Sequence, residues 1–202
     1  MGTRRDELLT RCQEYLLDHG VAEMSLRPIA AGVGTSARLL VYHFGSRDGL
    51  ITAVMNGVRA RLQGTLRRTV ARPGFAKDPL LAFWKASTQP DVLRALGLLL
   101  EVQVLALRNP RNYRHYLDET STSWLQAIGE AVPESKHRVA VVTVCQAVVD
   151  GLILDLLSTG DRRRTTEAVA FFRTVLRATV PAHRRTAHTG PAHSRNRKKR
   201  SA

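Results

Sequence analysis

The chain has 202 residues, of which 44% are hydrophobic and 24% charged, and its formal net charge is +14. This apolar content is enough for one large core or two small ones, which excludes a wholly disordered chain. The positive charge is uneven, because residues 1–50 hold six arginines and six acids whereas 182–202 hold seven bases and no acid. The net charge therefore does not identify the N-terminal region as a nucleic-acid-binding region. Any such assignment depends on where the individual charged residues lie.

The first predicted helix runs from about Arg4 to Asp18. Thr3 is the expected N-cap, with Asp6 three residues on in the pattern of a capping box, and Gly20 can end the helix. The expected apolar stripe of this helix comprises Leu8, Leu9, Cys12 and Leu16.

Two short helices are predicted next, over about 26–32 and 36–44. Ser25 is the expected cap of the first, Ser36 or the residue before it caps the second, and Gly34 lies in the tight turn between them. Two short helices joined in this way predict a helix-turn-helix within residues 25–47. The residues expected to hold the pair together are Leu26, Ile29, Ala30, Val33, Leu40 and Phe44.

A long fourth helix is predicted over 46–72, capped by Ser46, because apolar residues recur there every four positions. Further helices are predicted at about 79–87, 91–108, 111–132, 134–158 and 165–179. With almost no alternating pattern, the expected fold is all-α with nine helices. The expected organisation is a DNA-binding domain over 1–50, a linking helix over 46–72, a helical domain over 73–180 and a disordered basic tail over 181–202.

The outer surface of the second short helix offers groups that suit a DNA major groove. Arg38 can donate two hydrogen bonds to a guanine edge, and Leu39 and Val41 can pack on thymine methyl groups. Tyr42 and His43 can donate hydrogen bonds to phosphate oxygens.

Two arginines begin neighbouring helices and are expected to contact the DNA backbone. Arg27 lies beside the free N–H groups that begin the first short helix, and Arg47 begins the long helix. An arginine at a helix N-terminus is electrostatically unfavourable alone, and a bound phosphate would remove the conflict. The predicted DNA-binding residues are therefore Arg27, Ser36, Ala37, Arg38, Leu39, Val41, Tyr42, His43 and Arg47.

A recognisable pattern is carried by four segments of the chain: Ser25-Leu26-Arg27, Ile29-Ala30, 34–36 and Tyr42-His43-Phe44-Gly45-Ser46-Arg47-Asp48-Gly49-Leu50. Residues 4–60 resemble the DNA-binding domain of the tetracycline-repressor (TetR) family. The chain departs from that family at three positions, since Thr35 replaces the usual Val, and Leu39 and Val41 replace Thr and Tyr. The resemblance implies that Phe44 lies in the core, that Tyr42 faces DNA, and that the remaining helices form a ligand-binding and dimerisation domain.

The resemblance further implies a homodimer in which the last two long helices pack against a symmetry mate. Residues 139–157 are apolar around most of the helix, more than one core requires, and Ala147 and Gly151 would permit close helix approach. Asp150 and Asp155 interrupt this run, so we expect no membrane span and a soluble protein. The two separated cysteines indicate the cytoplasm, and the resemblance implies a place at the bacterial nucleoid. The matching face of the last helix comprises Val169, Phe172, Val175 and Leu176.

Candidates for contact with an unknown small-molecule effector are polar or aromatic residues within apolar helices: Trp84, Glu101, Trp124, Thr143 and Gln146. Each has a structural alternative, because the tryptophans can fill the core and Glu101 can pair with an arginine at the surface. A buried Glu101 in the pocket would favour a cationic effector, since an unpaired buried carboxylate is costly.

No catalytic motif is present in the sequence, so an enzyme is not expected, and no cofactor or metal is predicted. His183, His188 and His193 recur in the basic tail, where a solvated segment is expected rather than a metal site. Cys12 and Cys145 are expected to be reduced core residues.

The leading hypothesis is a ligand-responsive repressor that binds double-stranded DNA as a homodimer on a palindromic operator. The alternative is a non-sequence-specific architectural nucleic-acid-binding protein, which would show little preference among sequences. In either case the basic tail can add sequence-independent affinity through counterion release.

Overall fold

The computed structural model describes residues 3–21, 25–70, 72–73, 78–130, 132 and 134–179, and this part of the chain is helical with short connections. The nine helices in it are α1 (Arg4–His19), α2 (Leu26–Gly32), α3 (Ala37–Phe44), α4 (Arg47–Val70), α5 (Pro79–Ser87), α6 (Pro90–Arg108), α7 (Pro110–Gly129), α8 (Arg138–Thr159) and α9 (Arg162–Thr179). The all-α prediction, a helix-turn-helix followed by a helical domain, is confirmed. The tail over 181–202 lies outside the described residues.

Side-chain caps define several of the helix starts. Thr3 and Asp6 form the predicted capping box, in which the Thr3 backbone N–H donates to the Asp6 carboxylate at 2.9 Å. Ser36 accepts from the backbone N–H of Leu39 at 3.2 Å, and Ser46 caps α4 in the same way. Ser25 is the N-cap residue of α2, as predicted, with an extended backbone, but its side chain makes no capping hydrogen bond.

The last three helices differ from the prediction by up to a turn at one end. α7 ends at Gly129 and α8 begins at Arg138, whose guanidinium donates to the Gly129 carbonyl at 2.6 Å across the connection. α9 begins one turn early, at Arg162, because the Asp161 carboxylate accepts from the backbone N–H of Arg164 at 3.0 Å. These contacts join side chains to backbone groups across connections, and hydrophobic periodicity does not reveal them.

The larger buried cluster runs from α1 through α4 to α6 and α7, and it includes Leu8, Ile29, Leu40, Leu50, Val102 and Trp124. The smaller cluster joins α5, α8 and α9, and its buried members are Trp84, Val149, Ile153, Leu156 and Val169. The helix-turn-helix therefore shares a core with α6 and α7, whereas α8 and α9 pack on the second cluster.

α4 and α7 lie side by side along their length. Two side-chain pairs join them in order, Asp48 with Tyr113 and Arg59 with Glu119, and Arg67 of α4 then contacts Glu130, the residue that caps the end of α7. The separation in sequence stays near 60 residues from one end to the other, so the two helices run parallel. α7 therefore contacts α4 from the end of α4 next to the helix-turn-helix to its far end.

α8 has two apolar sides. One side packs inward through Val142, Cys145, Val149, Ile153 and Leu156. The other exposes Val139, Val144, Leu154 and Leu157. By length and composition alone, α8 is the one helix in the described part that could cross a membrane, although about a quarter (28%) of its apolar window is buried inside the structure.

Candidate DNA-binding surface

The turn between α2 and α3 is closed by backbone hydrogen bonds. Thr35 N–H donates to the Ala30 carbonyl at 2.8 Å, and Gly34 N–H donates to the Ala31 carbonyl at 3.1 Å. Gly34 has a φ of +65°, a conformation that favours glycine, and a Cβ there would lie 2.9 Å from Nη2 of Arg11. The turn thus fixes the two short helices against each other and against α1.

α3 has one side in the core and one in solvent. Leu40 and Phe44 are buried, whereas Arg38, Val41 and Tyr42 are exposed, with Tyr42 at 80% exposure. Burial of one side holds the helix rigidly, so the exposed side is presented at a fixed orientation. Such an arrangement suits insertion of a helix into a major groove.

The end of α3 is an aromatic run. The prediction that Phe44 belongs to the core is confirmed, and the Arg5 guanidinium carbon lies 5.1 Å from the centroid of its ring. This cation–π contact links the start of α1 to the end of α3. The rings of Tyr42 and His43 meet edge to face, with their centroids 5.0 Å apart.

Two of the predicted base-contacting residues are only partly available. Ala37 and Leu39 are half-buried and pack against the larger core. Only the solvent-exposed part of the Leu39 side chain can therefore contact a thymine methyl group. Val41 is the more exposed apolar residue of α3. Ser36 is exposed, and its oxygen is already used to cap α3.

The two arginines predicted to contact phosphate lie in different environments. Arg27 is exposed in the first turn of α2. Arg47 is 27% exposed at its side chain, and its Nη2 donates to the Val21 carbonyl at 3.0 Å while its Nη1 lies 3.4 Å from the Asp48 carboxylate. Arg47 thus connects the start of α4 to the segment that follows α1.

The five residues proposed to line an effector pocket are divided among the two buried clusters, α8 and the neighbourhood of the helix-turn-helix. Trp84 is buried in the smaller cluster, where its Nε1 donates to Thr166 at 2.9 Å, and Trp124 belongs to the larger cluster. Thr143 is exposed on α8, where its hydroxyl donates to the backbone of the preceding turn, and Gln146 is half-buried on the same helix.

Glu101, the fifth of these candidates, lies beside the helix-turn-helix. Its Oε1 accepts from the Val21 backbone N–H at 2.9 Å, and a Cβ on Gly20 would lie 2.8 Å from its Oε2. This carboxylate therefore holds the backbone at the end of α1. Hydrophobic periodicity does not predict this contact, because 80 residues separate the partners.

Sequence reasoning also missed a polar cluster around Asp48. The Asp48 carboxylate accepts from the Tyr113 hydroxyl at 2.6 Å and from Nδ2 of Asn112 at 2.7 Å. Burial, together with hydrogen bonding to the Asp48 carboxylate, raises the pKa of Tyr113 well above its ordinary value. The hydroxyl therefore stays protonated and remains a donor.

Among the described residues, no group of three or more His, Cys, Asp or Glu side chains is placed to hold a metal ion. The tail histidines lie outside the described part of the chain. Cys12 and Cys145 are both free and buried, as predicted, and burial raises the pKa of the Cys12 thiol to about 11.

Comparison with known proteins identifies the motif built from these residues. Residues 13–54, which contain the end of α1, all of α2 and α3, and the start of α4, match the model of the bacterial regulatory proteins of the tetR family. Residues 13–54 carry the DNA-binding motif of the TetR family. A curated relative of this chain is the HTH-type transcriptional regulator BetI 2 of Chromohalobacter salexigens, which is 29% identical over 46% of this chain and 56% of the relative. The alignment thus spans little more than half of that relative's length.

Solved structures share the fold over a larger part of the chain. A TetR-family transcriptional regulator from Rhodococcus sp. superposes with a TM-score of 0.71 at 21% identity, covering 85% of this chain and 97% of that one. A transcriptional regulator from Rhodococcus sp. RHA1 gives a TM-score of 0.74 at 16% identity, covering 88% and 97%. At these identities the likeness shows a common fold.

Proposed function

We propose that this chain is a sequence-specific DNA-binding repressor of the TetR family that acts as a homodimer and releases DNA when it binds a small molecule. The proposal rests chiefly on the outward side of α3. Arg38, Val41 and Tyr42 are exposed there on a helix whose other side is fixed in the core. An exposed arginine on a rigid helix can donate two hydrogen bonds to a guanine edge in the major groove.

The exposed apolar side of α8 supports a homodimer. Leu154 is 56% exposed, and an added Cβ at Gly151 would meet nothing within 4 Å. A second copy related by a two-fold axis would cover this side with the same residues. A lipid environment suits it less well, because Asp150 is exposed in the middle of α8 and its carboxylate would face hydrocarbon.

In such a dimer the two α3 helices would lie about 34–36 Å apart, one turn of DNA, and bind the two halves of a palindrome. An effector that binds one conformer more tightly than the other would shift the spacing and release the operator. We place this activity in the cytoplasm, where a bacterial regulator meets its DNA.

The first experiment is selection of bound fragments from random DNA with the purified protein. The expected result is a palindrome whose half-sites lie about one helical turn apart. Adding candidate compounds to the same assay would then identify an effector by loss of binding. Bound fragments without a common sequence would instead indicate the architectural alternative.

Arg38→Ala is expected to lower affinity for the selected site by about tenfold to a hundredfold and to relax the preference at one base pair of each half-site. Arg163→Ala is the matched control, because it removes an equal charge from an exposed arginine on α9. Equal effects of the two substitutions would show that Arg38 contributes charge alone and does not recognise a base.

A further inference from the structure

The segment that carries α2 and α3 is held at both of its ends by residues of α6 and α7. At one end, the Val21 backbone N–H donates to Glu101 of α6 at 2.9 Å. At the other end, Asp48 accepts from Asn112 and Tyr113 of α7 at 2.7 and 2.6 Å. We name these five residues, Val21, Asp48, Glu101, Asn112 and Tyr113, the recognition clamp.

The two ends of this segment are also tied to each other. Nη2 of Arg47 donates to the Val21 carbonyl at 3.0 Å, so the chain from Val21 to Asp48 forms a closed loop. α2 and α3 both lie within that loop. The base of the loop is therefore attached to α6 and α7 through three side chains that lie 64 to 80 residues from the groups they bind.

The hydrogen bonds of the recognition clamp are charge-assisted. A carboxylate is the acceptor in all three hydrogen bonds, and such charge-assisted bonds are roughly twice as strong as neutral ones. Tyr113 is almost completely buried, which fixes its hydroxyl in place. Glu101 is confined too, because Gly20 packs directly against its carboxylate.

We propose that Glu101, Asn112 and Tyr113 are positioning residues for DNA recognition, which set the angle at which each subunit presents α3. The inference rests on the proposed function, since the angle matters most when two copies bind two half-sites. A small rotation at the base of the loop displaces α3 along the DNA. The clamp therefore fixes which half-site spacing the dimer accepts.

The test uses the full chain and the operator recovered by selection, together with versions whose half-site spacing is changed by one or two base pairs. Tyr113→Phe removes only the hydroxyl and keeps the buried ring. We expect this variant to bind the operator of native spacing about tenfold more weakly than the wild type does. When the half-site spacing is changed, the variant should lose less of its operator affinity than the wild type loses. Asn112→Ala, at an exposed position, should act in the same direction without disturbing the core.

Tyr116→Phe is the matched control. Tyr116 is equally buried one turn further along α7, and the side chain beside its hydroxyl is Thr120 of the same helix. This variant should keep the spacing profile of the wild type. The proposal would be wrong if Tyr113→Phe and Asn112→Ala both kept the wild-type dependence of operator affinity on half-site spacing. It would also be wrong if the two variants lost the same affinity at every spacing. If the wild type itself selects no spaced palindrome, the proposed function fails first, before any variant is compared.

Discussion

At the scale of single residues, Gly20 meets two independent constraints. Its φ of +73° and ψ of −170° lie in a region that is open almost only to glycine. A Cβ there would also lie 2.8 Å from the Glu101 carboxylate. We expect Gly20→Ala to lower the free energy of unfolding by about 3 kcal/mol, measured by urea denaturation.

Gly160 meets the backbone constraint alone, without a neighbouring side chain. It has a φ of +70° in the left-handed helical region, and an added Cβ would meet nothing within 4 Å. Gly160→Ala should therefore cost only the backbone strain, about 1 kcal/mol. An equal loss at Gly20 and Gly160 would mean that Glu101 moves aside freely, contrary to its assigned role.

Cys12 gives the helix-turn-helix core a dependence on alkaline pH. Burial raises the pKa of its thiol to about 11 in the folded chain, from an ordinary value of 9.0. Between these values the unfolded state has lost a proton that the folded state keeps, so the free energy of unfolding falls as the pH rises from 9 to 11 and is unaffected below. Relative to Cys12→Ala, the wild type should lose about 2 to 3 kcal/mol across this window in urea denaturation. Parallel curves for the two proteins would contradict the expectation.

At the scale of helices, local chemistry was sufficient to predict most of the elements. The Thr3–Asp6 capping box, the break at Gly45 and the four-residue apolar repeat of α4 all have their causes within a few residues of chain. The same reasoning placed Phe44 in the core and Tyr42 outside it. It placed Leu39 outside as well, whereas the core of the neighbouring helices covers part of that side chain.

The contacts that sequence reasoning missed join residues far apart in the chain. Arg47 was expected to need a phosphate at the helix N-terminus, yet the Val21 carbonyl and Asp48 already lie against its guanidinium. Glu101 was considered for an effector pocket, yet it accepts from the backbone that follows α1. Such pairings depend on how α6 and α7 cross the helix-turn-helix, and hydrophobic periodicity does not specify a crossing.

The parallel pair of α4 and α7 offers a comparison between a buried and an exposed ion pair. The Arg59 side chain is 11% exposed and contacts Glu119 at 3.3 Å and Thr120 at 2.9 Å. We expect Arg59→Ala to cost about 2 kcal/mol, below the range for fully buried pairs because Glu119 is 40% exposed.

The exposed pair between α4 and the residue that caps α7, Arg67 with Glu130, is the control. Arg67→Ala should cost no more than about 0.5 kcal/mol in the same denaturation assay. A double-mutant cycle with Glu119→Gln would then measure the coupling of the Arg59 pair directly. A coupling no larger than that of the Arg67 pair would show that burial adds nothing to this contact.

At the scale of the whole molecule, the part of the chain that the structure describes covers only one of the two apolar sides of α8. The inner side packs on the second cluster, while Leu154 stays 56% exposed on the outer side. Recognition of a palindrome also requires two copies of α3 at a fixed separation. In the proposed homodimer, the apolar surface of α8 and the candidate DNA-binding surface of α3 lie on different helices, and each needs a second copy of the chain.

Leu154→Arg tests this requirement, because it places a charge in the centre of the proposed dimer interface. We expect a helical but monomeric protein in analytical ultracentrifugation, and at least about a hundredfold weaker operator binding, since each half-site would then be bound alone. Leu107→Arg is the matched control, because Leu107 is a leucine of α6 with 65% exposure. It should leave the dimer and its operator affinity intact. A Leu154→Arg protein that remains dimeric would move the interface away from α8, and a monomer with undiminished operator affinity would remove the need for two copies.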